Sequence, residues 1–176
     1  MGMNRNLKES SLLDLYQSTV AAFPNTRKRQ HSIDTIQVQE VAFTPFLGMR
    51  TLFVRGNVLN EENGNAYTPI ILFKDVVYHP QREQDEWIEF VASDGRNYVL
   101  ERLERDANDI LVRCNCPDFY WRFNYFDHED RSLYGRKRRR YEAVAAPGSA
   151  NPNQMPGMCK HLIKLSTAIR DAGILG

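Results

Sequence analysis

NYVLERLERDANDILVRCNCPDF, residues 97–119, is the stretch that decides how this chain folds. Two apolar runs, Tyr98–Leu103 and Ile110–Cys114, flank a polar segment rich in Asp and Asn, the pattern of two strands joined by a turn. The second run ends in Cys114 and Cys116, and Pro117 directly after them suits a strand end. Further on, MCKHLIKLSTAI at 158–169 puts Cys159 and His161 at the start of a segment with Leu162, Leu165 and Ile169 at helical spacing. Gly173 stands just past its end, as expected at a helix C-terminus. All 3 cysteines of the chain therefore fall in two short motifs, CxC and CxH.

Zinc in closed structural sites takes four nitrogen or sulfur ligands in a tetrahedron, usually as two pairs local in sequence. Cys114, Cys116, Cys159 and His161 supply that set, so the spacing predicts one structural Zn²⁺. Three thiolates and a neutral imidazole leave a net negative charge on the site. Arg113 and Lys160, each next to a ligand, are expected to offset it. The alternative is that small buried cysteines fill core space and His161 is an ordinary helix-start residue. An iron–sulfur cluster ordinarily asks for four cysteines. Four protein ligands leave no position for a catalytic water.

Working outward, Leu12, Leu15, Tyr16, Thr19 and Phe23 recur at steps of three and four, with Ser10 or Ser11 as cap and Pro24 as stop, predicting an amphipathic N-terminal helix. TRKRQH, residues 26–31, reads as a linker. From Asp34 to Cys116 the runs become β-branched and aromatic. Strands are expected near Thr35–Phe43, Thr51–Leu59, Ile70–Tyr78, Trp87–Ala92, Tyr98–Leu103 and Ile110–Cys114. Asn-Gly in EENGN (61–65) and Asp-Gly in SDGR (93–96) mark hairpins. The alternation changes phase between Val38 and Val41, which predicts a bulge near Glu40. The fold class expected is α+β: an antiparallel sheet with an N-terminal helix and a C-terminal zinc-bound hairpin plus helix. Residues 1–95 carry the first helix and most strands; residues 96–176 carry the zinc module with an insertion at 117–158, the two forming one compact unit.

CxC, a spacer, then CxH opening a helix resembles the SWIM-type zinc finger. NYVLERLERDANDILVRCNCPDF is similar to that family's hairpin leading into CxC, and MCKHLIKLSTAI to its closing helix, so the resemblance covers roughly residues 96–172. It implies that Cys114, Cys116, Cys159 and His161 are the ligands and that the role is DNA binding or protein interaction, with no reaction. The spacer is longer than the family's usual one and holds the densest aromatic and basic stretches of the chain. CNCPDFYWRF, GRKRRRY and NPNQMPGMCKH together are also similar to uncharacterised proteins of tailed phages, which implies a virion component.

The strongest local charge is RKRRR: Arg136, Lys137, Arg138, Arg139 and Arg140, flanked by Tyr134 and Tyr141. Arginines interleaved with aromatic rings suit phosphate pairing and base stacking. Asp127, Glu129 and Asp130 lie just upstream and are equally able to neutralise them. Phe119, Tyr120, Trp121, Phe123, Tyr125 and Phe126 are expected to pack over the zinc core, or in part to form a stacking or docking surface. His31, His79 and His128 are isolated, and no phosphate loop, GxSxG or HExxH occurs, so no enzyme and no small-molecule substrate are expected.

Composition agrees with a folded, non-membrane protein. It is 42% hydrophobic and 26% charged with a net charge of +1, so no global field draws the chain to nucleic acid or lipid. No apolar run reaches bilayer length, MGMNRNLKESS lacks a signal-type stretch, and Asn6 stands where a myristoylation signal wants Ser or Thr. A cytoplasmic, zinc-stabilised structural protein assembling with other protein subunits, and incorporated into a virion, is the expectation. A nucleic-acid-binding module acting through Arg136–Arg140 is the alternative.

Overall fold

In a computed structural model the described residues are 9–23, 33–138, 151 and 153–176. They form α1 (Leu12–Ala22), β1 (Ile36–Phe46), β2 (Thr51–Asn60), β3 (Asn65–Tyr67), β4 (Ile70–Phe73), β5 (Tyr78–His79), β6 (Trp87–Val91), β7 (Asn97–Glu101), β8 (Ile110–Arg113), α2 (Pro117–Arg122), α3 (Asn124–Glu129) and α4 (Lys160–Asp171). The class is mixed α+β, with an N-terminal helix, antiparallel sheets and a C-terminal helix. None of the described helices is long and apolar enough to cross a membrane. The linker at 26–31 and the stop at Pro24 lie outside the described residues.

Where one sheet was expected there are two. The larger runs β1-β2-β4-β8 with β3 beside the end of β2, and the smaller runs β5-β7-β6. The expected strand at 70–78 divides at Asp75: Lys74 N–H still donates to Asp109 O (2.9 Å), the next position of the β4–β8 register, and Asp75 then turns the chain at φ 55°. Tyr78 emerges beside Leu100 of β7 in the second sheet. The bulge is where the phase change placed it, between Val38 and Glu40. Position 95/96 falls at the β6–β7 turn, and both sheets take strands from each side of it, through β7 on β5 and β6 and through β8 on β4.

The core lies between the large sheet and α4. Leu52, Val54, Ile71, Phe73, Ile110 and Val112 of the sheet are fully buried with Leu162, Leu165 and Ile169 of the helix. The helix packs on β1, β2 and β4. It comes so close at Gly56 that a Cβ there would lie 2.9 Å from Leu165 Cδ1. Ser11 caps α1 in a reciprocal box with Asp14, at 3.2 and 3.0 Å. Leu12, Leu15, Thr19 and Ala22 face inward, whereas Tyr16 stays exposed. Leu13 N–H donates to Arg105 O and Ile110 N–H to Ser10 O, both at 3.0 Å, tying the helix to the turn before β8.

The aromatic stretch after Cys116 is two short helices, and they meet the C-terminal segment at a polar junction. Phe119 and Phe123, one turn apart, are buried. Gly157 N–H donates to Asp127 Oδ1 (2.7 Å), and Met158 N–H to Thr19 Oγ1 (2.9 Å). A Cβ on residue 157 would stand 2.5 Å from Thr19 Oγ1 and 2.7 Å from Phe123, so only glycine fits between α1 and α3. Asp127 is fully buried and its Oδ2 has no hydrogen-bond partner among the described residues. Burial holds its carboxyl well above the usual carboxylate range.

A carboxyl raised on folding favours the folded state most below about pH 3.9, its unfolded value, and loses that contribution as pH rises through the folded value. Asp127→Asn keeps an oxygen for Gly157 and removes the ionisation. We expect it to stabilise the chain at pH 7 by about 1–3 kcal/mol, an advantage that shrinks toward pH 4 in urea unfolding. A pH-independent change would show that ionisation is not the cost.

Candidate metal centre

Each ligand is delivered by a feature of the local chain. Strand β8, in register with β4 through Ile70 opposite Arg113, ends by presenting Cys114. Asn115 Oδ1 accepts Thr68 N–H at 2.8 Å, which pins the turn that brings Cys116 back. Cys116 is the N-cap of α2, and its Sγ accepts Phe119 N–H at 3.3 Å. Cys159 is the N-cap of α4, placed by the Gly157–Met158 junction. One residue into that helix His161 turns Nδ1 toward Cys114 Sγ, at 3.9 Å. The motifs thus come together as their spacing implied.

The four ligand atoms all lie within 4.8 Å of one another. Bonds of about 2.3 Å to sulfur and 2.0 Å to nitrogen require tetrahedral edges of roughly 3.5–3.8 Å, so the group closes on one ion with shifts of about 1 Å or less. Cys114, Cys116, Cys159 and His161 are all buried, at 4%, 1%, 0% and 4% exposure. They are close enough to bind a metal ion and form one site.

The thiols already share protons unequally. Burial pushes Cys114 and Cys159 well above the ordinary thiol range. Cys116 is pushed far below it, first by the hydrogen bond from Cys114 and then by that from Cys159. As the N-cap of α2, Cys116 also accepts Phe119 N–H on Sγ, which lowers it further. Of the two cations expected to offset the site, Lys160 reaches Glu62 at 3.9 Å. Arg113 instead donates from Nη1 to Tyr134 O (3.1 Å) and Arg136 O (2.8 Å), holding the loop after α3.

That loop is the described part of the basic run. Leu133 bridges Val112 in parallel and Tyr134 N–H donates to Val112 O, so the chain passes along the outer edge of β8. Tyr134 packs against Phe53, with ring centroids 5.5 Å apart. Arg136 and Lys137 are exposed. Arg138 lies 5.1 Å over both Tyr120 and Trp121, and its N–H donates to Asn124 Oδ1. Arg139, Arg140 and Tyr141 lie outside the described residues. Among the described residues the upstream acids have other partners than the run: Asp127 holds Gly157, Asp130 accepts Ser10 Oγ–H at 2.7 Å, and Glu129 faces His128 at 3.5 Å. The aromatic cluster is split, Phe119 and Phe123 inward, Tyr120 and Trp121 outward at 42% and 45% exposure. His79 stacks on Trp87 and meets Glu101 Oε1 at 3.0 Å; His31 lies outside the described residues.

Sequence reasoning missed the residues that surround the ligands. Asn60 Nδ2 is 3.3 Å from His161 Nε2, and the Tyr67 ring lies 4.6 Å from the imidazole. With Thr68 on Asn115, these place the β2–β3 hairpin directly over both motifs. The Asn-Gly turn predicted the hairpin, but nothing in the pattern says where it docks. Comparison of the chain with protein families, curated proteins and solved structures gives no significant match.

A metal needs thiolates, so binding must displace the protons that burial keeps on Cys114 and Cys159. With about two protons released, apparent Co²⁺ affinity is expected to fall by up to about 100-fold per unit decrease in pH below neutrality. Absorbance titration at three pH values checks this, and Cys159→Ser is expected to weaken binding at every pH. A pH-independent affinity would show that these thiols are not the ligands.

Proposed function

We propose that the chain is a non-enzymatic interaction protein whose C-terminal region is held by one structural Zn²⁺ on Cys114, Cys116, Cys159 and His161. The carrying observation is the closed donor set: three thiols and an imidazole, all buried and all supplied by the protein. Soft sulfur donors in a four-ligand set suit zinc, and four protein ligands leave no position for a reacting water. The similarity of residues 96–172 to the SWIM-type finger supports the same assignment. Assembly with other protein subunits is the role we assign to the surface. Its support is the exposed apolar tip between β1 and β2, Phe46, Leu47 and Met49, at 44%, 53% and 74% exposure.

Native mass spectrometry is expected to give one zinc per chain, lost in Cys159→Ser. Chelation should remove the cooperative unfolding of the C-terminal region followed by hydrogen exchange. A metal-free chain with unchanged exchange protection, or an ion that supports hydrolytic turnover, would refute the assignment.

A second reading, nucleic-acid contact, is favoured by one specific observation. Arg136 and Lys137 are exposed without an ion-pair partner among the described residues, because the neighbouring carboxylates are engaged elsewhere. Arg138, Tyr120 and Trp121 lie beside them as a cation-aromatic surface. This reading requires binding of labelled single-stranded DNA that weakens steeply with salt and is lost in Arg136→Glu/Lys137→Glu. No binding at low salt sinks it and leaves the protein-contact role.

A further inference from the structure

One residue of the β2–β3 hairpin reaches a ligand directly. Asn60, the last residue of β2, is buried and sets Nδ2 at 3.3 Å from His161 Nε2. Its Oδ1 accepts Glu62 N–H at 3.0 Å. The Tyr67 ring on the same hairpin lies 4.6 Å from the imidazole, and Lys160, next to His161 in the chain, reaches Glu62 at 3.9 Å. Because Nδ1 faces Cys114 Sγ, Nδ1 is the nitrogen offered to the metal and Nε2 the one offered to Asn60.

A neutral imidazole carries a single N–H. As Asn60 stands, its amide donates to the Nε2 lone pair, so the N–H is on Nδ1, directed at Cys114. Once the Nδ1 lone pair is given to a metal, the N–H must be on Nε2, and Nε2 then needs an acceptor. A primary amide serves both states, since a half-turn about χ2 exchanges its donor for its acceptor. That turn sets an amide N–H against Glu62 N–H, so it requires the hairpin turn at Glu62, which is exposed, to shift and hand that N–H to water.

We propose that Asn60 is a positioning residue of the metal centre: its side-chain amide holds His161 with Nδ1 toward the ion, donating to Nε2 before the ion binds and accepting from Nε2–H afterwards. The inference rests on the metal reading above. It assigns the far half of the chain a part in setting affinity: hydrogen-bond partners of ligating histidines are typically worth about 10–100-fold in metal binding.

The test compares the full chain with Asn60→Leu and Asn60→Asp, using Zn²⁺ competition against a chromophoric chelator and the ligand-field spectrum of the Co²⁺ form. Asn60→Leu is expected to bind about 10–100-fold more weakly with a shifted Co²⁺ band. Asn60→Asp, a permanent acceptor, is expected to restore affinity to the wild-type level or above and to return the band. Equal affinity in Asn60→Leu overturns the proposal, as does equal weakening in both variants, which would mark a packing role alone. Should Asn60→Leu not fold, a tenfold or greater loss in Asn60→Asp overturns it. A wild-type chain that takes up no ion removes the metal reading itself, a result distinct from a wild-type chain that binds while Asn60→Leu binds equally well.

Discussion

Four buried donor atoms have to meet at one point, and they arrive from positions as far as 47 residues apart in the chain. Three thiols and an imidazole in a dry interior are costly to leave unsatisfied, and two of the thiols are held protonated by that burial. Everything around them acts to keep the arrivals in register. The β4–β8 ladder sets where Cys114 emerges, and the N-caps of α2 and α4 set Cys116 and Cys159. The polar junction at Gly157 and Met158 ties the approach to α4 to both α1 and α3. A helix at the start of the chain thereby steadies a ligand near its end.

The insertion between the motifs divides its labour by helical geometry. Phe119 and Phe123 are four residues apart and share the inward face of the α2–α3 turn, while Tyr120 and Trp121 fall on the other side. Arg138 returns to lie over those two rings, and Arg113 reaches away from the metal centre to hold the carbonyls of the same loop. The cation expected to balance the ligands thus stabilises the route of the basic segment instead. With Asp127 and Asp130 holding Gly157 and Ser10, and Glu129 beside His128 at the surface, Arg136 and Lys137 stand as exposed cations without an ion-pair partner among the described residues, although the chain as a whole is nearly neutral.

The hairpin over the site joins the two halves in packing. Asn60, Tyr67 and Thr68 touch His161 and Asn115, the latter being the residue between the two cysteines of CxC. A metal centre with outer contacts from a distant strand pair reports on the integrity of the large sheet, because slippage of β2 against β3 would move Asn60 off the imidazole.

Much of this was determined by local order along the chain. The CxC and CxH spacings, the capped first helix, the amphipathic last helix, the Asn-Gly and Asp-Gly turns and the phase change before Glu40 each act over a few residues, so their chemistry is written in adjacent positions. Tertiary structure alone decided the division into two sheets at Asp75, the inward and outward split of the aromatic stretch, the partners of Asp127 and Arg113, and the docking of Asn60 on His161. The physical reason is the same in each case. A polar side chain chooses its partner by what packing leaves within about 3 Å, and residue types in sequence carry no record of which distant backbone will occupy that space.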